Sequence, residues 1–278
     1  MVDDTFSEFT YTEADFRRVQ KIIGEHAGIS LSDAKRSLVY NRLTKRLRLF
    51  GMSAFQQYLD YVDTHVEEEF SHFVNAITTN LTFFFREEHH FDFLKESELA
   101  RLIERNHATK RIRIWSAGCS TGEEPYSLAI TVKEAVPSNW DVKILATDLD
   151  FNVVNHGQEG VYDERRVEGM SKERLNRWFS RGSGENEKKV RVKQELQDLI
   201  TFKQLNLMHE WPMKGPFDLI FCRNVMIYFN KETQSRLTDR YADYLIDDGH
   251  LIIGHSESLF KVTERFKLIG KTIYQKIS

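Results

Sequence analysis

Residues 117–127 read AGCSTGEEPYS, and this stretch decides the fold of the chain. It follows a run at 111–115 in which charged and apolar residues alternate as in a strand, and it opens a stretch, 123–136, that predicts a helix. Thr121 and Glu124 have the spacing of a capping box, and Pro125 fits the first helical turn. A strand, a glycine turn and a helix in this order predict one unit of a parallel α/β sheet.

The rest of this half of the chain repeats the alternation. Strands are predicted at 141–146, 199–204, 217–222 and 250–253, a helix at 231–246, and a closing antiparallel pair at 266–277. The expected fold is therefore a doubly wound sheet with ligands at the carboxyl ends of its strands. A highly charged segment, 158–200, is too long for a simple loop and predicts an inserted subdomain.

The first 82 residues contain no proline and predict four short amphipathic helices that form a small bundle. Capping pairs are expected at the starts of three of them, and Gly51 is expected to end the second. The three pairs are Thr12 with Asp15, Ser53 with Gln56, and Thr64 with Glu67. The predicted division is a helical domain at 1–82, a bridging segment at 83–95 and an α/β domain at 96–278 that contains the insertion; a fifth helix is expected at about 87–106.

Composition excludes several classes of protein. The 278 residues are 41% hydrophobic and 29% charged, with a net charge of -3 and two cysteines, as in an ordinary globular protein without a disulfide scaffold. No run approaches the roughly 18 apolar residues of a membrane span, and the acidic start at 1–4 differs from a signal peptide. We expect a cytoplasmic protein without membrane insertion.

The glycine turn restricts the choice of ligand. It lacks the G-x-G-x-x-G spacing of a dinucleotide site, and it has Glu123 and Glu124 where a phosphate-binding P-loop has lysine. Carboxylates suit a positively charged ligand such as S-adenosylmethionine (SAM), and Asp148 at the next strand end could accept hydrogen bonds from its ribose hydroxyls. Two alternatives stay open: a turn without a ligand, and Asp148 as the N-cap of a helix.

Four sequence blocks resemble the CheR family, the methyltransferases that esterify glutamates of bacterial chemotaxis receptors. They cover most of the chain in the family's order. The blocks are GCSTGEEPYS at 118–127, TNLT followed by FFRE at 79–87, FCRNVMIYF at 221–229 and GHSES at 254–258. The resemblance implies a Rossmann-like class I SAM-dependent methyltransferase domain with a small inserted β-subdomain, preceded by an all-α domain.

The resemblance also implies the residues of the site. Those expected to bind the cofactor are Asn80, Thr82, Arg86, Glu123, Asp148, Asn206, Leu207, Arg223 and Asn224. Of these, Glu123 is expected to bind the amino-acid end, Asp148 the ribose, and Asn206 with Leu207 the adenine. A glutamate acceptor is ionised at neutral pH, since its ordinary pKa is about 4.3, and needs no general base. We expect Arg86 and Tyr228 to orient it catalytically, giving a methyl ester and S-adenosylhomocysteine (SAH).

A basic stripe predicts the partner surface. Six basic residues and no acidic one lie at 35–48, although residues 1–85 hold nine Lys and Arg against twelve Asp and Glu. Lys35, Arg42 and Arg46 fall on one helix face and are expected to bind the receptor. Nucleic acid is not favoured, because aromatic residues for base stacking are not interleaved along the stripe, where Tyr40 is the one aromatic residue at 35–48. The β-subdomain resembles the one that in some family members binds a receptor's C-terminal tail.

The adjacent histidines and the two cysteines are not expected to carry the chemistry of the site. His89 and His90 lack the spacing of metal ligands and are expected on a helix surface, so no metal is predicted. Cys119 and Cys222 are expected to be small packing residues. The alternatives to receptor methylation are a methyltransferase with a different acceptor and a SAM-binding signalling module without turnover. Methyltransferases of nucleic-acid amines typically carry an Asn/Asp-Pro-Pro-aromatic turn, where this chain has RNVM at 223–226.

Overall fold

The computed structural model describes residues 8–278, so the acidic start at 1–4 lies outside the described residues. The chain divides into two compact units. One is Met1–Asn80 with Tyr228–Thr233, and the other is Leu81–Ile227 with Gln234–Ser278.

The first unit is a helical bundle. Its helices are α1 (Glu13–Ala27), α2 (Arg36–Phe50), α3 (Phe55–Thr64) and α4 (Val66–Ile77). The capping box of α1 is confirmed: Asp15 N donates to Thr12 Oγ1 at 3.1 Å, and Thr12 N donates to the Asp15 carboxylate at 2.8 Å. Gly51 ends α2 in the left-handed conformation, as predicted. The buried side chains that join the helices include Phe16, Ile23, Leu43, Phe55 and Phe73.

The other two predicted capping boxes are wrong. Helix α3 has Ala54 at its N-cap without a side-chain cap, because Ser53 N donates instead to Gln57 Oε1 at 3.0 Å. Helix α4 starts from His65, which is also the C-cap of α3. With one residue between the helices, no extended residue is left there to act as a conventional N-cap.

The second unit contains the predicted α/β sheet. Its strands are β1 (Arg111–Ala117), β2 (Asp141–Asp148), β3 (Val161–Asp163), β4 (Phe179–Arg181), β5 (Lys189–Val192), β6 (Ile200–Gln204), β7 (Phe217–Cys222), β8 (Leu245–Ile253), β9 (Phe266–Gly270) and β10 (Ile273–Lys276). The helices that follow the bundle along the chain are α5 (His89–Phe93), α6 (Leu99–Arg105), α7 (Glu123–Ala135), α8 (Phe151–Glu159), α9 (Lys172–Trp178), α10 (Gln194–Gln197) and α11 (Lys231–Tyr244). The prediction of alternating strands and helices is confirmed.

The main sheet has the order β6-β2-β1-β7-β8-β10-β9. Its first five strands are parallel, and β10 and β9 close it as the predicted antiparallel pair. Strand β7 is buried along its whole length, as expected for a central parallel strand. A separate antiparallel sheet, β3-β5-β4, lies within the charged segment 158–200, which the sequence predicts as an inserted subdomain.

The helix predicted at 87–106 is irregular. A π-helical turn at Leu94–Glu98 separates α5 from α6. Within it Glu98 is buried and holds both Arg101 and His250, which are bonded at 2.7 and 3.0 Å. Across residues 8–278, no helix is long and apolar enough to cross a membrane.

Candidate functional site

The carboxyl ends of the five parallel strands share one edge of the main sheet. Strand order reverses between β1 and β7, because β2 and β6 lie on one side of this pair and β8 on the other. Such a switch point opens a crevice at the strand ends, where doubly wound proteins bind ligands. The glycine turn after β1 and the segment after β7 both start there.

Helix α7 begins at the glycine turn, but not through the predicted capping box. Its N-cap is Gly122 in the left-handed region, with φ 97°, and Thr121 Oγ1 donates to the Glu123 carboxylate at 2.6 Å. Tyr162 donates to the Thr121 carbonyl at 2.7 Å. A Cβ on Gly122 would lie 2.7 Å from the Tyr162 hydroxyl oxygen, so both backbone angle and space require glycine.

The two glutamates at the start of α7 face different neighbours. Glu123 is fully buried and forms an ion pair with Arg166 at 2.9 Å. Glu124 accepts from Ser116 Oγ at 2.7 Å and from Arg223 at 3.1 Å. Burial raises the pKa of both carboxyls. Glu124 therefore faces the ends of β1 and β7, whereas Glu123 faces the β-subdomain.

Asp148 ends β2 beside the glycine turn. Its carboxylate accepts from Ser120 N at 2.8 Å and from Asp150 N at 3.1 Å. Burial raises its pKa to about 6, although both hydrogen bonds oppose the shift. Asp150, not Asp148, is the N-cap of α8, so the alternative of Asp148 as a helix cap is excluded.

Unpartnered polar atoms gather at this sheet edge. Ser120 Oγ, Asp150 Oδ2 and Arg223 Nε are buried and lack hydrogen-bond partners in the part of the chain that the structure describes. The three residues follow β1, β2 and β7, whose carboxyl ends border the crevice. Buried polar atoms are normally satisfied, so this arrangement fits a polar ligand. The acidic groups Glu124 and Asp148 fit the ammonium and ribose hydroxyls of SAM.

Residues 81–86, here called the strap, precede α5. Thr82 is buried, and Arg86 donates to the Leu81 carbonyl at 2.6 Å. Phe85 N donates to Ser127 Oγ on α7 at 2.9 Å. The strap thus packs against the helix that starts at the glycine turn, and brings Thr82 and Arg86 into the same unit as Asp148.

Arg223 is a buried internal cation. Besides Glu124, it contacts the Glu87 carboxylate at 3.4 Å and donates to the Arg86 carbonyl. Asn224, in the left-handed region, donates its backbone N–H to Glu257 at 2.9 Å. The guanidinium is therefore largely committed to the protein, and its buried Nε lacks a hydrogen-bond partner among the described residues.

Asn206 and Leu207 follow β6 at the same sheet edge. Asn206 Oδ1 accepts from Met208 N at 2.9 Å, which fixes the turn. Leu207 is buried, and its carbonyl accepts from Arg240 at 2.7 Å. The pair is part of an ordered turn.

The other predicted residues belong to the helical unit. Asn80 donates to Asn75 Oδ1 at 2.7 Å. The Tyr228 hydroxyl accepts from Thr79 N at 3.2 Å and lies 3.3 Å from the Thr79 carbonyl. Lys35 Nζ lies 6.0 Å from the centre of the Tyr228 ring. Within this unit, Lys35 and Tyr228 are neighbours.

The basic stripe is not a uniformly solvated face. Arg46 forms a bidentate pair with buried Glu69, which also accepts from Tyr58 at 2.6 Å. Arg42 donates to the carbonyls of Ala76 and Thr78 at the end of α4, at 3.3 and 2.7 Å. Both guanidiniums therefore connect α2 to α4 or to its end.

The expectation that both adjacent histidines lie on a helix surface is wrong for His90. It is fully buried, with Nε2 3.0 Å from Thr272 Oγ1, and burial lowers its pKa to about 3. Both cysteines are buried, as expected of packing residues. Among residues 8–278, no group of three or more His, Cys, Asp or Glu side chains is arranged to hold a metal.

Sequence reasoning missed three residues around the strand ends: Glu87, Arg166 and Glu257. Glu87 and Glu257 lie inside the quoted blocks, where their charge and position were visible. Glu257, for example, accepts from the backbone N–H groups of Gly254, Asn224 and Ile227. Arg166 lies in the charged insertion, where no pattern distinguishes it from its neighbours.

Comparisons with known proteins agree with this architecture. The model "CheR methyltransferase, all-alpha domain" matches residues 14–78, and "CheR methyltransferase, SAM binding domain" matches residues 80–275. These matches confirm the expected fold, a SAM-binding α/β domain preceded by an all-α domain.

Curated relatives match nearly the whole chain. Chemotaxis protein methyltransferase 2 of Pseudomonas aeruginosa is 45% identical, covering 96% of this chain and 94% of the relative. Chemotaxis protein methyltransferase of Salmonella typhimurium is 44% identical, covering 95% and 90%. The protein of the same name from Borreliella burgdorferi is 40% identical, covering 95% of each chain.

Proposed function

Because the chain belongs to the CheR methyltransferase family, we propose that it transfers a methyl group from SAM to glutamate side chains of methyl-accepting chemotaxis receptors. The products are glutamyl methyl esters and SAH, and the reaction serves sensory adaptation. The observation that carries the proposal is the acidic strand edge, where Glu124 and Asp148 lie beside unpartnered buried polar atoms. A non-catalytic SAM-binding module and another acceptor are not favoured.

Methyl transfer to a carboxylate requires the protein mainly to position the acceptor. SAM supplies a methyl group on a positively charged sulfur, which an ionised carboxylate can accept without a general base. Holding the acceptor in line can contribute about 7–11 kcal/mol. We assign Arg86 and Tyr228 to this orientation, because a guanidinium and a phenol can each donate to a carboxylate oxygen.

The direct test measures transfer of labelled methyl from SAM to receptor-containing membranes. Label released as methanol by mild alkali is expected, since a carboxyl methyl ester hydrolyses under these conditions. Alkali-stable label would mean another acceptor atom. Absence of label, alongside an active control methyltransferase on the same membranes, would favour the non-catalytic module.

The proposed cofactor residues combine both sources of inference. The resemblance assigns Asn80, Thr82, Arg86, Glu123, Asp148, Asn206, Leu207, Arg223 and Asn224. We add Glu124, because its side chain lies at the switch point between β1 and β7, where it contacts Ser116 and Arg223. In this proposal Glu124 receives the ammonium of the amino-acid end, Asp148 the ribose, and the turn at 206–207 the adenine.

The two adjacent glutamates give a matched pair of variants. Glu124→Gln is expected to weaken SAH binding about tenfold or more, by loss of a charge-assisted hydrogen bond, and Glu123→Gln to weaken it less. Calorimetry with SAH and with 5′-methylthioadenosine, which lacks the amino-acid end, checks the assignment. Glu124→Gln should leave binding of the shorter ligand unchanged. A larger effect from Glu123→Gln would return the amino-acid end to Glu123.

Lys35 is the cleanest probe of the proposed receptor surface formed by Lys35, Arg42 and Arg46. Within residues 8–278 it makes no buried ion pair, in contrast to Arg46, and it lies beside Tyr228. Lys35→Glu is expected to reduce the rate of receptor methylation several-fold while SAM affinity stays unchanged, because it repels an acidic receptor surface. Lys21→Glu on α1 is the matched charge control. Equal rates for the two variants would remove Lys35 from the receptor surface.

Further parts of the proposal follow from the resemblance. The domain division at 1–82, 83–95 and 96–278, with the inserted β-subdomain at 158–200, is proposed as the functional one. Strand β4 is an edge of the small sheet and could add a receptor's C-terminal tail as a further strand. We place the protein in the cytoplasm, where the methyl-accepting part of such receptors lies.

A further inference from the structure

Three arginines bind carbonyl groups of the strap. Arg86 donates to the Leu81 carbonyl at 2.6 Å, Arg166 donates to the Thr82 carbonyl at 3.0 Å, and Arg223 donates to the Arg86 carbonyl. Arg86 belongs to the strap itself. The other two reach it from distant segments, one from the β-subdomain and one from the end of β7.

Both distant arginines are held by the start of α7. Arg166 pairs with Glu123 at 2.9 Å, and Arg223 pairs with Glu124 at 3.1 Å. Two consecutive glutamates therefore each anchor a guanidinium that binds one part of the strap. Arg166 binds the carbonyl of Thr82, and Arg223 binds the carbonyl of Arg86.

We propose that Arg166 is a positioning residue for the cofactor: by bridging Glu123 and the Thr82 carbonyl it holds the strap closed over bound SAM and SAH. The inference rests on the proposed function, in which Thr82 and Arg86 contact the cofactor. Arg166 itself touches no reacting atom. Its role extends the site to the inserted β-subdomain.

The environment of the ion pair supports this role. Glu123 is fully buried, whereas 38% of the Arg166 side chain is exposed. A buried carboxylate without a partner is costly, so Glu123 keeps the guanidinium in place. The planar guanidinium can serve two acceptors at once: Nη1 donates to the Thr82 carbonyl, and Nη2 lies 2.9 Å from the Glu123 carboxylate.

Arg166→Ala and Arg165→Ala form a matched pair in the full-length protein. Arg165 lies next in sequence, is exposed, and stands in the same short segment of the β-subdomain. Arg166→Ala is expected to raise the SAH dissociation rate at least tenfold, because the strap opens more often. Arg165→Ala is expected to match the unaltered protein, and Arg166→Lys to restore part of the loss.

Two further measurements separate positioning from general damage. Hydrogen exchange of the unliganded protein should quicken in peptides covering the strap in Arg166→Ala, but not in peptides covering α6. In the unliganded protein, strap peptides of the double variant Glu123→Gln/Arg166→Ala should exchange no faster than those of Arg166→Ala alone, because the two residues act as one unit.

Equal SAH dissociation rates for Arg166→Ala and Arg165→Ala would overturn the proposal, as would unchanged strap exchange. The exchange measurement needs no ligand. A failure of the proposed function is recognised separately, by an unaltered protein that binds neither SAM nor SAH. That result would also overturn the positioning role of Arg166.

Discussion

Arg46→Glu is expected to destabilise the helical unit by about 3–5 kcal/mol, the range for breaking a buried ion pair. The change removes the partner of Glu69, of whose side chain only 3% is exposed, and places a second carboxylate against it. Tyr58, which donates to the same carboxylate, cannot supply a compensating charge. Urea unfolding followed by far-UV circular dichroism measures the loss.

Arg48→Glu on the same helix is the matched control. Arg48 pairs with Glu8, and more than half of each side chain is exposed, so solvent screens the pair and the expected loss is far smaller than for Arg46→Glu. Similar losses for the two variants would contradict a structural role for Arg46. Charge reversal at Arg46 is consequently a poor test of receptor binding, because lost methylation would reflect lost folding.

Asp148→Ala is expected to weaken SAM binding by about 1.5–3 kcal/mol, roughly 10- to 150-fold, by removing a charged acceptor. It also releases Ser120 N and Asp150 N, which the carboxylate holds. Calorimetry gives the affinity. Asp141→Ala, at the other end of β2 and paired with Arg113, should leave it unchanged. Unchanged affinity in Asp148→Ala would remove this residue from the site.

The raised pKa of Asp148, about 6, predicts how this interaction depends on pH. SAM affinity should be constant well above pH 6 and should fall by up to tenfold per pH unit below it, because the protonated carboxyl loses its charge. The unfolded carboxyl titrates near 3.8, so between these values the folded state holds more protons. This group's contribution to stability therefore declines as pH rises from about 4 to 6. Asp148→Asn should lack both effects.

Much of the fold was predictable because its signals are local. Strand β7 was predicted with the bounds that the structure has, since a short apolar run identifies a buried parallel strand. The capping pairs were less predictable. Thr12 and Asp15 form their box, but Thr121 and Glu124 do not, because Glu124 turns toward Ser116 and Arg223.

The sequence by itself determined the glycine turn, the succession of strands and helices along the chain and the family, because those depend on neighbouring residues and on motif order. Only the tertiary structure decided which glutamate of an adjacent pair faces the switch point and which arginines turn inward. Arg46 meets a partner 23 residues away, and Arg166 meets a carbonyl 84 residues away. Such pairings depend on packing between distant segments. The residues next to a charged side chain in the sequence do not indicate which partner it will meet when it is buried.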